Sequence, residues 1–228
     1  MIQTNESASG EQPDTIVFLG PSLQVSAARS LLAADFWPPI RRGDLPRAAQ
    51  RGARRVAIID GEFGQSLSVT ISEVRRALRS GIEVWGASSM GALRAAECWP
   101  IGMQGVGWVY EQYRSGTIQA DDEVALIFDA STGAARTTPL VNLRWSAAQA
   151  AQAGVIDAAH AAEILELAAT LPYEQRSYGR LERVATASLQ SSVAALARWV
   201  GADPGRADRK GLDARELLER LARSEPLA

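Results

Sequence analysis

Short apolar runs separated by longer mixed stretches set the rhythm of the first hundred residues. The runs lie at 15–19 (TIVFL), 55–59 (RVAII) and 82–85 (IEVW). They are too short for helices and lack a polar face, which predicts strands buried on both sides. Each ends in turn chemistry: Gly20-Pro21-Ser22, Asp60-Gly61 and Gly86. The stretches between them predict helices. One runs from Ser22, as N-cap, to about Ala34. Others span about 45–51, about 72–80 with closure at Gly81, and 89–98 with a stop at Pro100. Phe36-Trp37-Pro38-Pro39-Ile40 reads as extended chain, because proline restricts itself and its predecessor.

The pattern changes after Pro100. Residues 101–107 (IGMQGVG) are glycine-rich and carry no assigned element; they are too irregular for a dinucleotide fingerprint and do not follow a convincing strand. A helix is expected over 108–114, ending at Gly116. Asp121-Asp122-Glu123 opens a further apolar stretch, and 139–145 reads as a strand or an extended arm. From Ser146 onward the chain is rich in Ala, Leu, Glu and Arg. Helices are expected near 146–153, 157–170, 174–187, 190–200 and 213–223. The fold class is therefore α/β: a parallel sheet with helices on both faces (Rossmann-like), followed by a C-terminal helical layer. The expected division is an α/β core at 15–145 and a helical region at 146–228. Residues 1–14 are expected to form a disordered leader.

Composition narrows the chemistry more than the fold. In 228 residues there is one cysteine, Cys98, one histidine, His160, and one lysine, Lys210; the net charge is -2. Neither a disulfide within the chain nor a Cys/His zinc site can form. Metal held by carboxylates stays open on composition, but no metal site is assigned. The balanced charge favours neither nucleic acid nor an anionic membrane as partner. No run approaches the ~20 apolar residues that span a bilayer. The polar start lacks the form of a signal peptide, so the cytoplasmic compartment is expected.

Three strand ends carry polar residues: Ser22, Asp60 with Glu62, and Ser88 with Ser89. In a doubly wound sheet such ends share one edge and line a ligand cleft. Ala87-Ser88-Ser89-Met90-Gly91 has the small-x-Ser-x-small form of a nucleophile elbow centred on Ser89. The N–H groups near Met90 and Gly91 would serve an oxyanion. The same serine pair would also make a plain helix cap. A Ser-His-acid triad is hard to assemble, because His160 belongs to the helical layer. Lys210 falls in a polar segment expected to be exposed, which argues against a Ser-Lys pair. Asp60, Glu62 and Glu97 are the candidate acids or bases. Arg94 and Glu97, three apart, also suit a simple ion pair. Asp121 and Asp122 suit either a helix start or a cationic ligand. No P-loop or G-x-G-x-x-G fingerprint is present, and no cofactor is expected.

Several segments in order resemble the TfuA-like protein family. They are Val17-Phe18-Leu19-Gly20-Pro21-Ser22-Leu23, Pro38-Pro39 with Gly43-Asp44, and Ile59-Asp60-Gly61 with Phe63. They continue with GASSMGALRAAE at 86–97, Gly102-Met103-x-Gly105-x-Gly107, and Asp121-Asp122-Glu123-Val124-Ala125. The resemblance implies a role beside YcaO-type ATP-dependent enzymes, which activate a peptide amide for replacement of oxygen by sulfur. The sulfide would come from a thiocarboxylated, ThiS-like sulfur carrier protein, with the precursor peptide as a further partner. Under that reading Ser89 and Ser88, with Asp60 and Glu62, form the catalytic set. Gly20, Ser22, Met90, Gly91, Arg94, Glu97, Asp121 and Asp122 form the binding set. The alternative is a docking or allosteric subunit of the YcaO enzyme with no chemistry of its own.

Overall fold

The computed structural model describes residues 14–64, 66–129 and 132–223. The expected leader thus lies outside the described residues, apart from Asp14. In chain order the elements are β1 (Thr15–Phe18), α1 (Val25–Leu31), β2 (Asp35–Trp37), α2 (Asp44–Gln50), β3 (Arg55–Ile58), α3 (Ile71–Arg79), β4 (Glu83–Ala87), α4 (Met90–Cys98), β5 (Gln104–Val106) and α5 (Trp108–Ser115). The helical region follows with α6 (Leu140–Gln152), α7 (Ala158–Thr170), α8 (Tyr178–Val184), α9 (Ala187–Ala202), α10 (Pro204–Ala207) and α11 (Arg209–Arg223).

The five strands form one parallel sheet in the order β2-β1-β3-β4-β5. This is the order of the flavodoxin-type doubly wound sheet, whose switch point lies between β1 and β3. Two apolar layers cover it. On one face Ile16, Phe18, Val56 and Ile58 pack against Leu45 and Ala48 of α2, Val74 of α3, and Met90 and Ala95 of α4. On the other, Val17, Ala57 and Trp85 pack against Ala28 of α1 and Ala214, Leu217, Leu218 and Leu221 of α11. Full burial of each large aliphatic side chain contributes roughly 1.5–3 kcal/mol. The last helix among the described residues, α11, therefore covers one face of the sheet. The expected boundary at 145/146 falls inside α6.

Helices α6, α7, α8 and α9 enclose an apolar cluster of their own, including Leu143, Ile164, Leu181 and Leu196. Arg176, fully buried, ties this cluster to the core. Its guanidinium donates to the carbonyls of Ala168, Asp122 and Leu171 and to the Asp122 carboxylate at 2.8 Å. Asp213 of α11 makes a second tie by accepting from the N–H groups of Trp108 and Val109 at 3.0 and 2.7 Å. It thus caps α5 from a distant part of the chain. Among the described residues, no helix is long and apolar enough to cross a membrane.

Four local expectations change. Helix α1 begins at Val25 after an N-cap at Gln24, and Ser22 does not cap it. Residues 104–106, assigned no element from sequence, form the fifth strand, where a Cβ on Gly105 would lie 2.2 Å from the Tyr110 ring. Residues 140–145 are helical within α6, not extended. Asp121–Glu123 is a single 3₁₀ turn, not the start of an α-helix.

The closest backbone approach joins β3, β4 and α4. A Cβ on Gly91 would lie 1.7 Å from the Ile58 carbonyl oxygen, and one on Gly86 would lie 2.1 Å from the Gly91 oxygen. The three atoms nearest that Cβ position all belong to backbone, which cannot swing aside as a side chain can. Gly91→Ala is expected to cost ~3 kcal/mol, or roughly 6–12 °C in Tm for a chain of this size, measured by thermal unfolding. Gly179→Ala, in α8 with open space around it, is expected to leave Tm unchanged or slightly raised, because Ala is the better helix former.

Candidate functional site

The turn after β4 is a strained one. Ser88 has φ 69°, the one positive φ of a non-glycine among the described residues. The Ser89 N–H donates to the Ala87 carbonyl at 2.8 Å, closing a γ-turn of the rare left-handed kind about Ser88. This conformation costs of order 1–3 kcal/mol and persists because its surroundings over-determine it. The Gly91 N–H donates to the Ile59 carbonyl at 3.3 Å, which pins the turn to β3. That amide is thus already engaged, a correction to the expectation that it would serve an oxyanion. The Ser88 hydroxyl is buried with no hydrogen-bond partner. Ser89 makes no side-chain cap bond to α4 and faces a cavity of about 230 Å³. The two serines therefore divide the elbow: Ser88 carries its backbone strain, and Ser89 presents the hydroxyl.

Asp60, at the end of β3, is the centre of the cavity wall. Its Oδ2 accepts from the N–H groups of Gly20 and Ser22 at 2.9 and 3.0 Å, and its Oδ1 accepts from the Ser22 hydroxyl at 2.6 Å. Ser22 is thus an anchor of the β1 loop, the role that replaces the expected cap. A Cβ on Gly20 would lie 2.5 Å from Pro39, so this loop admits no side chain there. The carboxylate is 2 % exposed and already accepts three hydrogen bonds. Charge-assisted bonds of this kind hold the loop firmly.

Lys210 supplies the fourth neighbour of Asp60. It was expected to be exposed; it is 2 % exposed. Its Nζ lies 4.0 Å from Asp60 Oδ1 and donates to the Val124 carbonyl at 2.9 Å. Burial pushes its pKa below the ordinary lysine value, while Asp60 and Asp208 pull it partly back. The backbone places it there. Lys210 N–H donates to Asn142 Oδ1 of α6, and Asn142 Nδ2 donates in turn to Asp208. A sequence signal for this burial exists. Lys210 precedes Ala214, Leu217 and Leu221 by four, seven and eleven residues, on the apolar stripe of α11.

The remaining candidates fall into two groups. Glu62 stands in the same cavity wall as Ser89, Asp60 and Lys210, held in an ion pair with Arg41. Met90 is buried in the core behind the turn. Arg94 and Glu97 form an ion pair, and Arg94 Nε donates to the Val69 carbonyl at 2.8 Å. With Asp121 they line a neighbouring cleft that Phe63 separates from the Ser89 cavity. Asp122 is committed to Arg176, and Glu123 to Arg144 at 2.7 Å. These two acids bind arginines of the helical region, Arg144 on α6 and Arg176 in the loop before α8. His160 pairs with Asp157 on α7, its Nδ1 2.6 Å from the carboxylate. Cys98 is buried, and burial followed by Glu97 pushes its thiol up to about 11, so it carries little thiolate. Among the described residues, no three His, Cys, Asp or Glu side chains are grouped to hold a metal ion.

Removal of the Asp60 carboxylate would strand two loop amides and a buried ammonium. Asp60→Ala is expected to lower stability by about 3–5 kcal/mol and Asp60→Asn by less, read as shifts of the denaturant midpoint.

A comparison with the curated proteins finds no match for this chain. A family model described as TfuA-like protein matches residues 60–177, over half of the chain. The matched segment begins at Asp60 and includes the Ser88-Ser89 turn, α4, the acidic 3₁₀ turn and the buried Arg176. Gly20, Ser22 and Lys210 lie outside it. The chain belongs to the TfuA-like protein family.

Proposed function

We propose that the protein is a hydrolase that releases sulfide from the thiocarboxylated C-terminus of a ubiquitin-like sulfur carrier, for use by a YcaO-type partner in peptide thioamidation. Family membership suggests a role in thioamidation-related processes and a partner role; the hydrolytic step is the finer reading. The observation that carries it is the uncapped Ser89 hydroxyl, facing a cavity at the carboxyl ends of β3 and β4.

The chemistry suits so sparse a site. Ser89 Oγ attacks the thiocarboxylate carbon, the C–S bond breaks, and the serine proton ends on the departing sulfur as hydrosulfide. Water then hydrolyses the acyl-serine, giving a free carboxylate and restoring the hydroxyl. Hydrosulfide leaves more easily than an amine or alkoxide, so the demand for a strong general acid is small. The Met90 N–H, first of α4, is the amide of the turn best placed to meet the oxyanion. Asp60 holds the β1 loop against the cavity, and Glu62 with Arg41 forms the rim. The carrier's extended tail would enter from that rim.

The test is incubation with thiocarboxylated carrier protein, with sulfide measured by colorimetry and the carrier's return to carboxylate by mass spectrometry. Ser89→Ala is expected to lower the rate by roughly two orders of magnitude or more, and Ser88→Ala by far less. An unchanged rate in Ser89→Ala would remove the serine as nucleophile. If the wild type releases no sulfide but still stimulates thioamide formation by the YcaO partner supplied with free sulfide, the protein is a docking subunit instead.

A further inference from the structure

Exposed apolar side chains gather at the mouth of the Ser89 cavity. Among the described residues six large apolar side chains are well exposed, and four of them, Leu67, Ile71, Ile127 and Phe128, belong to this region, each 37–44 % exposed. Single exposed apolar residues are ordinary on a soluble surface, whereas several around one opening mark a contact site. They stand on two banks. On one, Leu126 and Phe128 line the cavity and Ile127 lies between them. The other lies beyond the Glu62 rim. There Ser68 Oγ donates to the Glu62 carbonyl at 2.9 Å, which holds Leu67 beside the rim, and Ile71, the first residue of α3, lines the neighbouring cleft with Ser68 and Arg94. Two arginines edge this surface. Arg41 pairs with Glu62, and Arg136 with Asp129. In each pair the guanidinium is the outer member: the arginine side chains are 61 % and 66 % exposed, the carboxylates 32 % and 25 %. An apolar centre with a polar, arginine-bearing edge is the anatomy of a protein–protein contact.

We infer that the two banks are the docking surface for the folded body of the sulfur carrier, which meets them with apolar and acidic side chains beside its C-terminal tail. This rests on the hydrolase reading and adds to it a surface, outside the reaction cavity, that selects the partner. The occupant follows from the dimensions of the site. A tail that reaches Ser89 Oγ passes between the banks, and a cavity of about 230 Å³ admits a short tail but not the domain that bears it. The body of the carrier then rests on what surrounds the mouth. Its chemistry follows from charge. Apolar contact with Leu67, Ile71, Ile127 and Phe128 holds the complex, while the outward guanidinium groups of Arg41 and Arg136 favour an acidic partner and speed its approach.

The test separates docking from chemistry with two substrates that share a reactive end: the whole thiocarboxylated carrier, and a short synthetic peptide thioacid that copies its last residues. The variant is Leu67→Glu with Ile127→Glu, one change on each bank, at residues that do not line the Ser89 cavity. Trp99→Glu, at an exposed position beyond the C-terminus of α4, is the control. Thermal unfolding confirms that each variant folds. Affinity for the carrier with its ordinary carboxylate, measured by isothermal calorimetry, is expected to fall at least ~10-fold in the double variant and to be unchanged in Trp99→Glu. Wild-type affinity is expected to weaken as salt is raised. In sulfide release the loss is expected in KM for the carrier, with kcat/KM for the peptide thioacid within about threefold of wild type. Carrier affinity of the double variant within about threefold of wild type overturns the docking surface and leaves the hydrolase reading standing. An equal loss of turnover on both substrates also overturns it, because the change then acts inside the cavity. So does light scattering that shows a wild-type dimer and a monomeric double variant with unchanged carrier affinity, which gives the surface to a second copy of the chain. Carrier binding that depends on the two banks, without sulfide release from either substrate, instead overturns the hydrolase reading and leaves the docking surface standing.

Discussion

The carboxylate of Asp60 is the contact on which the rest of the site depends. It sits at the switch point of the sheet, where the β1 and β3 crossovers part and a crevice must open. Three hydrogen bonds draw the Gly20–Ser22 loop onto it, and the Lys210 ammonium faces it from α11. A buried carboxylate is tolerated only when such donors satisfy it. The group therefore fixes the mouth of β1, the mouth of β3 and the start of the last helix together. Its observed part is to hold these three segments together.

The helical region is integrated with the sheet by specific polar ties. Helices α6–α9 have their own apolar cluster, yet α11 leaves them to cover the sheet face next to α1. Asp213 caps α5, Arg176 binds the acidic turn, and Asn142 fixes the start of α11. Burial pushes the Asp213 carboxyl up to about 6, against the pull of Arg209 and the two α5 amides. Two of these ties, Asp213 and Arg176, bury an ionisable group, and each of the two has several partners. Such contacts specify one arrangement of the two parts, because any slip would leave a charge unpaired in the interior.

Much of this was legible before folding was considered. The apolar runs at 15–19, 55–59 and 82–85 marked three of the five strands. The turn residues after them marked the edge where Ser22, Asp60 and Ser89 gather. The single histidine and single cysteine excluded a disulfide within the chain and a Cys/His zinc site. The differences share one physical cause, partners distant in the chain. Ser22 has the sequence setting of a helix cap, yet its partner, Asp60, lies 38 residues away. The 104–106 strand was hidden because its glycine makes room for Tyr110, a packing reason with no periodic trace. Asp121 to Glu123 has the sequence of a helix start, but Asp122 pairs with Arg176 in the loop before α8 and Glu123 with Arg144 of α6.

The sequence alone thus determined the alternation of strands and helices, the edge that carries polar groups, and the strand-turn-helix that presents a serine. Those features follow from local rules: apolar runs, caps, turns and the backbone freedom of glycine. Only the tertiary structure decided which serine faces the cavity, which acids are already satisfied, and where the single lysine lies. These depend on burial and on partners distant in the chain. Lys210 shows the difference most plainly: its neighbours Asp208 and Arg209 made it look solvated, while the apolar stripe of α11 carried it into the interior beside Asp60 and the Ser89 cavity.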